Sequence, residues 1–140
     1  MKKFKIHSYK SKLYFWVIIH DTIDELYKEG LKYKRNSGAS GWVKGADGLF
    51  HSYEKFIVDN KSKKSKKSND IGIIRLHGKS PYPRTVYHEV LHAALWQYRL
   101  KHRKKADFGS MIDDKEEELA AIYHDLLSRT VFNLYKFKLW

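Results

Sequence analysis

The sequence has no cysteine, two prolines, eight glycines and two methionines in 140 residues. Without cysteine the chain cannot form a disulfide framework, a Cys-ligated zinc finger or an iron–sulfur cluster, and it has no thiol nucleophile. Any metal must be held by the eight histidines and the carboxylates. The scarcity of glycine and proline beside 42% hydrophobic residues excludes wholesale disorder and collagen-like repeats. We expect one folded domain over residues 1–140.

Hydrophobic runs long enough to cross a bilayer are also missing. Residues 13–19 (LYFWVII) come nearest, but they lead into His20 and Asp21 without a small-residue cleavage site. This run therefore predicts a buried strand and not a signal peptide. A cytoplasmic protein with no membrane partner is expected.

Positive charge is in excess, with 28 Lys and Arg against 16 Asp and Glu and a net charge of +12. Such a balance favours anionic partners without specifying a fold. Part of the excess lies in a lysine-rich loop, residues 61–68, which carries Lys61, Lys63, Lys64, Lys66 and Lys67. This loop has two interpretations: an arm that binds nucleic acid, or a solvated loop whose lysines protect a strand edge from aggregation.

Hydrophobic patterning predicts four strands. They cover residues 3–8, 13–19, 49–58 and 71–76. The first two can form a hairpin, and the lysine-rich loop resembles the tip of a hairpin between the last two. A glycine-rich stretch, residues 36–48, should be a loop.

Three helices are predicted from apolar residues at helical spacing. They cover residues 21–35, residues 85–102, and a segment from about 113 or 114 to beyond 128. Asp21 is the expected N-cap of the first helix, and Pro83 suits the start of the second.

The second predicted helix contains His88-Glu89-Val90-Leu91-His92, an HExxH motif. Histidines four residues apart lie on one helix face, so both imidazoles can reach one cation. Glu89 can then reach a water bound to that cation and take its proton. Zinc in such sites has three protein ligands and an open fourth position. The motif therefore predicts a catalytic zinc site.

The third zinc ligand cannot come from the metzincin spacing, because Tyr98 stands where that class has a histidine. The last helix offers four candidates: Glu116, Glu117, Glu118 and His124. Its core stripe is defined by Leu119, Ile122, Tyr123 and Leu126. Periodicity slightly favours Glu116, which falls near the edge of this stripe.

Residues 71–127 carry a resemblance to a known family. HEVLHAAL, followed by EELAAIY, resembles the gluzincin pattern, in which an E-x-x-A helix presents a glutamate as third zinc ligand. The chain is similar to the small single-domain zincins of phages and mobile elements and, more distantly, to ImmA/IrrE-like metallopeptidases. The resemblance implies that His88, His92 and Glu117 bind zinc and that Glu89 is the general base. Ala121 departs from relatives that have an aspartate there.

The same resemblance implies a zincin-like α+β fold, with a small mixed or antiparallel sheet packed on the HExxH helix and on a second helix that carries a zinc ligand. It also implies that the strand bordering the cleft pairs with an extended substrate peptide, and residues 71–76 are the candidate. If a phage encodes the protein, the compartment is the host cytoplasm.

Two functions follow as hypotheses. The first is a zinc-dependent metallopeptidase acting on a protein or peptide substrate. The alternative is a basic nucleic-acid-associated protein with a structural or vestigial zinc site, in which residues 61–67 and 99–105 contact phosphates. An open metal position would favour the first, and four protein ligands the second.

Overall fold

The computed structural model describes residues 1–32, 46–103 and 116–140. Within these ranges the chain is α+β, with a small mixed sheet, a separate two-stranded ribbon and three helices. The strands are β1 (Lys2–Ile6), β2 (Tyr14–His20), β3 (Gly48–Ser52), β4 (Phe56–Val58), β5 (Ser65–Lys67) and β6 (Asp70–His77). The helices are α1 (Ile23–Lys32), α2 (Pro83–Lys101) and α3 (Glu116–Lys136).

The main sheet has the strand order β1-β2-β6-β3. β1 and β2 form the expected antiparallel hairpin, β2 and β6 run parallel, and β3 runs antiparallel to β6. β6 therefore has hydrogen-bonded neighbours on both sides. Its residues from Asp70 to Leu76 are all buried, which explains why its sequence is nearly continuously apolar instead of alternating.

The two faces of the sheet are covered by different helices. The main core joins β1, β2 and β6 to α2 and α3, with Phe15, Ile74 and Leu126 fully buried at its centre. On the other face, Leu26 of α1 packs against Leu49 of β3. The hydrophobic core between the sheet and the α2–α3 pair is the one that positions the HExxH motif.

The N-terminus of α1 differs from the expectation that Asp21 caps it. The Thr22 hydroxyl accepts a hydrogen bond from the backbone N–H of Glu25 at 3.2 Å, and the Glu25 carboxylate accepts one from the Asp21 N–H at 3.1 Å. The cap is therefore Thr22, in an arrangement close to a capping box. Asp21 instead accepts a hydrogen bond from the N-terminal ammonium.

The predicted strand 49–58 is wrong as a single element, because the chain leaves the main sheet after Ser52. The Tyr53 hydroxyl and the Lys55 ammonium both bind the buried carboxylate of Asp70, at 2.5 Å and 3.2 Å. This pair of contacts separates β3 from β4, which then pairs only with β5 in an antiparallel ribbon. The lysine-rich loop does form a hairpin tip, as predicted, and its last residues form β5.

The second predicted helix is confirmed, with Pro83 at its start. The third is confirmed from Glu116 onward and extends to Lys136, beyond the predicted minimum. Residues 113 and 114, and the predicted end of the first helix at residue 35, lie outside the described residues. So does the predicted loop 36–48, apart from its last three residues, and Gly48 is already in β3. Among the described helices, none has the length and apolarity needed to span a membrane.

Truncating the core contact of α3 should destabilise the protein strongly. Leu126→Ala removes a fully buried side chain and should lower the free energy of unfolding by about 2–5 kcal/mol, because the cavity is only partly refilled. Phe132→Ala on the same helix is the control. Phe132 is 68% exposed, so its truncation should change stability by at most about 0.5 kcal/mol. Equal losses in denaturant titrations would contradict this placement of α3.

Candidate metal centre

His88 and His92 lie one turn apart on the exposed side of α2, with their Nε2 atoms 3.1 Å apart. At this separation one ring donates a hydrogen bond to the other, or both lone pairs converge on one cation. Two nitrogens about 2.0–2.1 Å from a zinc ion and 3.1 Å from each other would subtend about 100° at the metal, close to the tetrahedral angle. The structure therefore brings the two predicted histidines together in a geometry that suits zinc.

Glu89 is turned by about 60° to 100° around α2 from the two histidines and lies in the contact between α2 and β3. Its side chain is only 7% exposed, whereas His88 and His92 are exposed. Burial raises the pKa of the Glu89 carboxyl from 4.5 to about 7, because the charged form loses its hydration. A carboxyl with this pKa can both accept and release a proton near neutral pH.

Gly48 leaves the space that the Glu89 side chain occupies between α2 and β3. A Cβ at residue 48 would lie 2.6 Å from Cγ2 of Thr85 and 3.0 Å from Cγ of Glu89. Only glycine lets the first residue of β3 approach α2 this closely. The sequence pattern predicts a loop at Gly48 and indicates no role for this residue. The only hint in the sequence that Gly48 has a special role is its place at the end of the glycine-rich stretch.

The strand beside the motif is β3, and the expectation that residues 71–76 border the cleft with free backbone groups is wrong. β6, which contains these residues, is paired with β2 on one side and with β3 on the other. β3 is the outermost strand of the main sheet in the described part of the chain. The ring of Phe50 on β3 lies parallel to that of His92, with centroids 6.4 Å apart.

The structure does not bring the third predicted ligand to the two histidines. Glu117 is exposed, and it lies about 140° from Ile122 and about 180° from Leu126 around α3, which is the outward side. Among the described residues, no group of three His, Asp or Glu side chains is placed to hold a metal ion. The fit to zinc therefore rests on two imidazoles, and Glu117 as a ligand stays a prediction.

The other candidate zinc ligands on α3 differ in what they contact. Glu118 accepts hydrogen bonds from Lys101 and His102 at the far end of α2 from His88. His124 is exposed. Glu116 lies within about 20° of Tyr123 around the helix, and the Tyr123 hydroxyl donates to the carbonyl of Tyr87 at 3.3 Å. Glu116 shares this angular position but lies about two turns before Tyr123, beside Glu118 at the far end of α2 from His88.

A cavity of about 430 Å³ lies at the N-terminal end of α2. Thr85 and Asp47 line it, and they connect it to the Gly48–Glu89 contact. His77 and Tyr82 line the same cavity. The cavity offers room beside the motif for part of a bound molecule.

The chain matches no protein-family model, no curated protein and no solved structure.

The two histidines should hold one zinc ion per chain. Protein purified without chelator should contain about one zinc, added zinc should raise the melting temperature, and His88→Ala or His92→Ala should abolish both effects. His7→Ala is the control, because the His7 ring contacts Arg129 and the backbone of Ser8. A wild-type protein without divalent metal and without a thermal shift would refute the metal centre.

Burial of Glu89 should make the stability of the metal-free protein depend on pH. The pKa of Glu89 in the folded state, about 7, lies above its ordinary value of 4.5. The folded protein therefore binds this proton more tightly than the unfolded chain does. The free energy of unfolding that this binding contributes is lost as pH rises from 4.5 to 7. The loss amounts to about 3 kcal/mol. Glu89→Gln should therefore gain stability relative to wild type across this range.

The comparison with wild type is needed because His51 acts in the opposite direction. Burial, together with the charge of Arg75, lowers the pKa of His51 from 6.5 to about 4, so this contribution is lost as pH falls. Subtracting the two curves from urea titrations isolates Glu89. A constant difference between variant and wild type from pH 4.5 to 8 would show that Glu89 is not desolvated.

Proposed function

We propose that this protein is a zinc-dependent peptidase with a zincin-like arrangement of its HExxH helix and edge strand. The observation that carries the proposal is the placement of the motif residues: two exposed imidazoles with Nε2 atoms 3.1 Å apart, and a buried glutamate on the adjacent side of α2. The spacing alone places the two histidines on one helix face, whereas the burial of the carboxylate beside them is not required of a chance motif on an exposed helix face.

His88 and His92 are the proposed zinc ligands, together with one carboxylate from the first turn of α3. The family resemblance favours Glu117 for this third position, and the periodicity of α3 favours Glu116. When bound, zinc would lower the pKa of a coordinated water and polarise a substrate carbonyl.

Glu89 is the proposed general base. A base works best when its pKa is near the operating pH, and burial brings the pKa of this carboxyl to about 7. The backbone of Gly48 lies against the Glu89 side chain. Glu89 can therefore take a proton on the side of α2 where it meets β3, and pass it on to a leaving amine.

β3 takes over the substrate-binding role that was expected of residues 71–76. An edge strand presents unpaired N–H and C=O groups, to which an extended peptide can add as a further strand. β3 lies beside both His92 and Glu89 through Phe50 and Gly48. A peptide paired with β3 would pass along the motif, which suits peptide-bond hydrolysis.

A structural zinc site, the alternative, fits the described residues less well. Structural zinc is enclosed by four protein ligands, whereas His88 and His92 are both exposed.

Three single substitutions test the proposal. Glu89→Gln keeps the size of the side chain but cannot accept a proton, so zinc should stay bound while hydrolysis of a peptide library falls about 10²- to 10⁴-fold. Glu116→Gln and Glu117→Gln identify the third ligand, because a neutral amide binds zinc poorly. The variant at the true ligand should lose zinc affinity and activity together, and its neighbour should lose little of either.

Three outcomes would contradict parts of the proposal. Full activity of Glu89→Gln on a confirmed substrate would refute the general-base role. Retained zinc in both α3 variants would show that neither glutamate is a ligand. A zinc-loaded wild-type protein that cleaves nothing in a diverse peptide library would refute the peptidase.

A further inference from the structure

The β4–β5 ribbon is exposed on both of its faces. Every residue of β4 and β5 is exposed, and these two strands pack chiefly on each other. Phe56, Ile57 and Val58 are 60%, 62% and 59% exposed, which is unusual for three consecutive large apolar side chains. A two-stranded ribbon with so little support is marginal alone, so a partner that contacts it would stabilise it.

Positive charge is distributed over both faces of this ribbon. Residues facing each other across an antiparallel pair share a face, so Lys67 lies with Phe56, and Lys66 lies with Ile57 on the opposite face. The six-residue loop 59–64 adds Lys61, Lys63 and Lys64 at the tip. Between residues 54 and 68 there are six lysines and only two acidic residues.

Most of this charge is not neutralised within the protein. Lys55 pairs with Asp70, and Lys67 pairs with Glu54. In the described ranges, the structure shows no acidic partner for Lys61, Lys63, Lys64 and Lys66. Asp59, the only acid in the loop, has its carboxylate engaged by the N–H of Lys61 and the hydroxyl of Ser62.

The base of the ribbon is joined to the basic end of α2. One oxygen of Glu54 lies 2.9 Å from Lys67 Nζ and 2.7 Å from a guanidinium nitrogen of Arg103. A single carboxylate thus holds two cations, and the electropositive surface continues from the ribbon to the end of the helix. The ribbon and the residues that follow α2 therefore form one continuous basic surface.

We propose that the β4–β5 ribbon is a binding element for double-stranded DNA that inserts into the major groove. The major groove, about 12 Å wide, admits a two-stranded ribbon and has phosphates along both of its walls. Lysines on both ribbon faces and at the tip match phosphates on two sides, whereas a flat anionic surface would match only one. Phe56, Ile57 and Val58 supply apolar surface of the kind that contacts thymine methyl groups. This proposal does not depend on the peptidase.

Two variants of equal charge test the proposal. The ribbon variant carries Lys→Gln at the four lysines without an acidic partner, Lys61, Lys63, Lys64 and Lys66. The control variant carries Lys→Gln at four exposed lysines outside the ribbon, Lys28, Lys79, Lys136 and Lys138. Binding of a duplex of about 20 base pairs is measured by fluorescence anisotropy between about 50 and 200 mM salt. Both variants should keep the far-ultraviolet circular dichroism and melting temperature of wild type.

The ribbon variant should lose at least about tenfold in duplex affinity at about 100 mM salt. The slope of log affinity against log salt concentration, the salt slope, should become less steep by about three to four units. Each phosphate that is no longer neutralised reduces this slope by about one. The control variant should lose less than about threefold. A third variant, Phe56→Ser with Val58→Ser, should weaken binding while leaving the salt slope unchanged. Equal losses in the ribbon and control variants, or no duplex binding by wild type, would overturn the proposal.

Two further measurements test the class of partner. A single strand of the same length should bind more weakly than the duplex, because it has no major groove. Equal or tighter binding of the single strand would refute groove insertion. Ribbon-dependent binding to vesicles of anionic lipid, without duplex binding, would assign the surface to a membrane instead.

Discussion

The close packing of α2 against β6 and β3 fixes the surroundings of the HExxH motif. The buried positions of the helix are occupied by small or β-branched residues, namely Val86, Val90, Ala93 and Ala94. At the edge strand Gly48 has no side chain, so backbone and helix come within ordinary contact distance. The turn of α2 that contains the HExxH motif is thereby held rigidly, since close-packed interiors change shape only at a cost.

This packing separates the three polar groups of the motif. A step of about 100° per residue turns Glu89 towards β3 while His88 and His92 remain on the exposed side. A buried carboxyl with a raised pKa is unfavourable for stability in its charged form. The core must offset that cost, and residues retained at such a cost are frequently functional. The energetics and the proposed chemistry thus point to the same residue.

The β4–β5 ribbon, in contrast, is held to the rest of the protein by polar contacts and not by close packing. It contributes little to the hydrophobic core, and the ion pairs at its base join exposed lysine and arginine side chains, which stabilise a fold only weakly. Glu54 and Asp70 orient the ribbon more than they stabilise it. A positively charged element held in this way remains accessible, and it lies on a part of the fold separate from the HExxH turn.

Strong local signals were enough to predict four features: the β1–β2 hairpin, the long helix after Pro83, the acidic start of α3 and the HExxH spacing. Each depends on periodicity or on turn residues within a few positions of one another. The predicted cap of α1 is wrong by one residue, because Asp and Thr are both good caps and only the geometry of Glu25 distinguishes them.

Three features depend on contacts between distant parts of the chain: which strand is the edge, where the predicted strand 49–58 breaks, and which way Glu89 points. The order of strands depends on pairings between residues far apart in the chain, and an apolar run such as β6 has no preferred face to reveal them. The break after Ser52 depends on Asp70, which lies 17 residues beyond Tyr53. The distance of the α3 glutamates from His88 and His92 likewise depends on how the two helices pack. The local spacing of His88, Glu89 and His92 was therefore predictable, whereas the surroundings that raise the pKa of Glu89 were not.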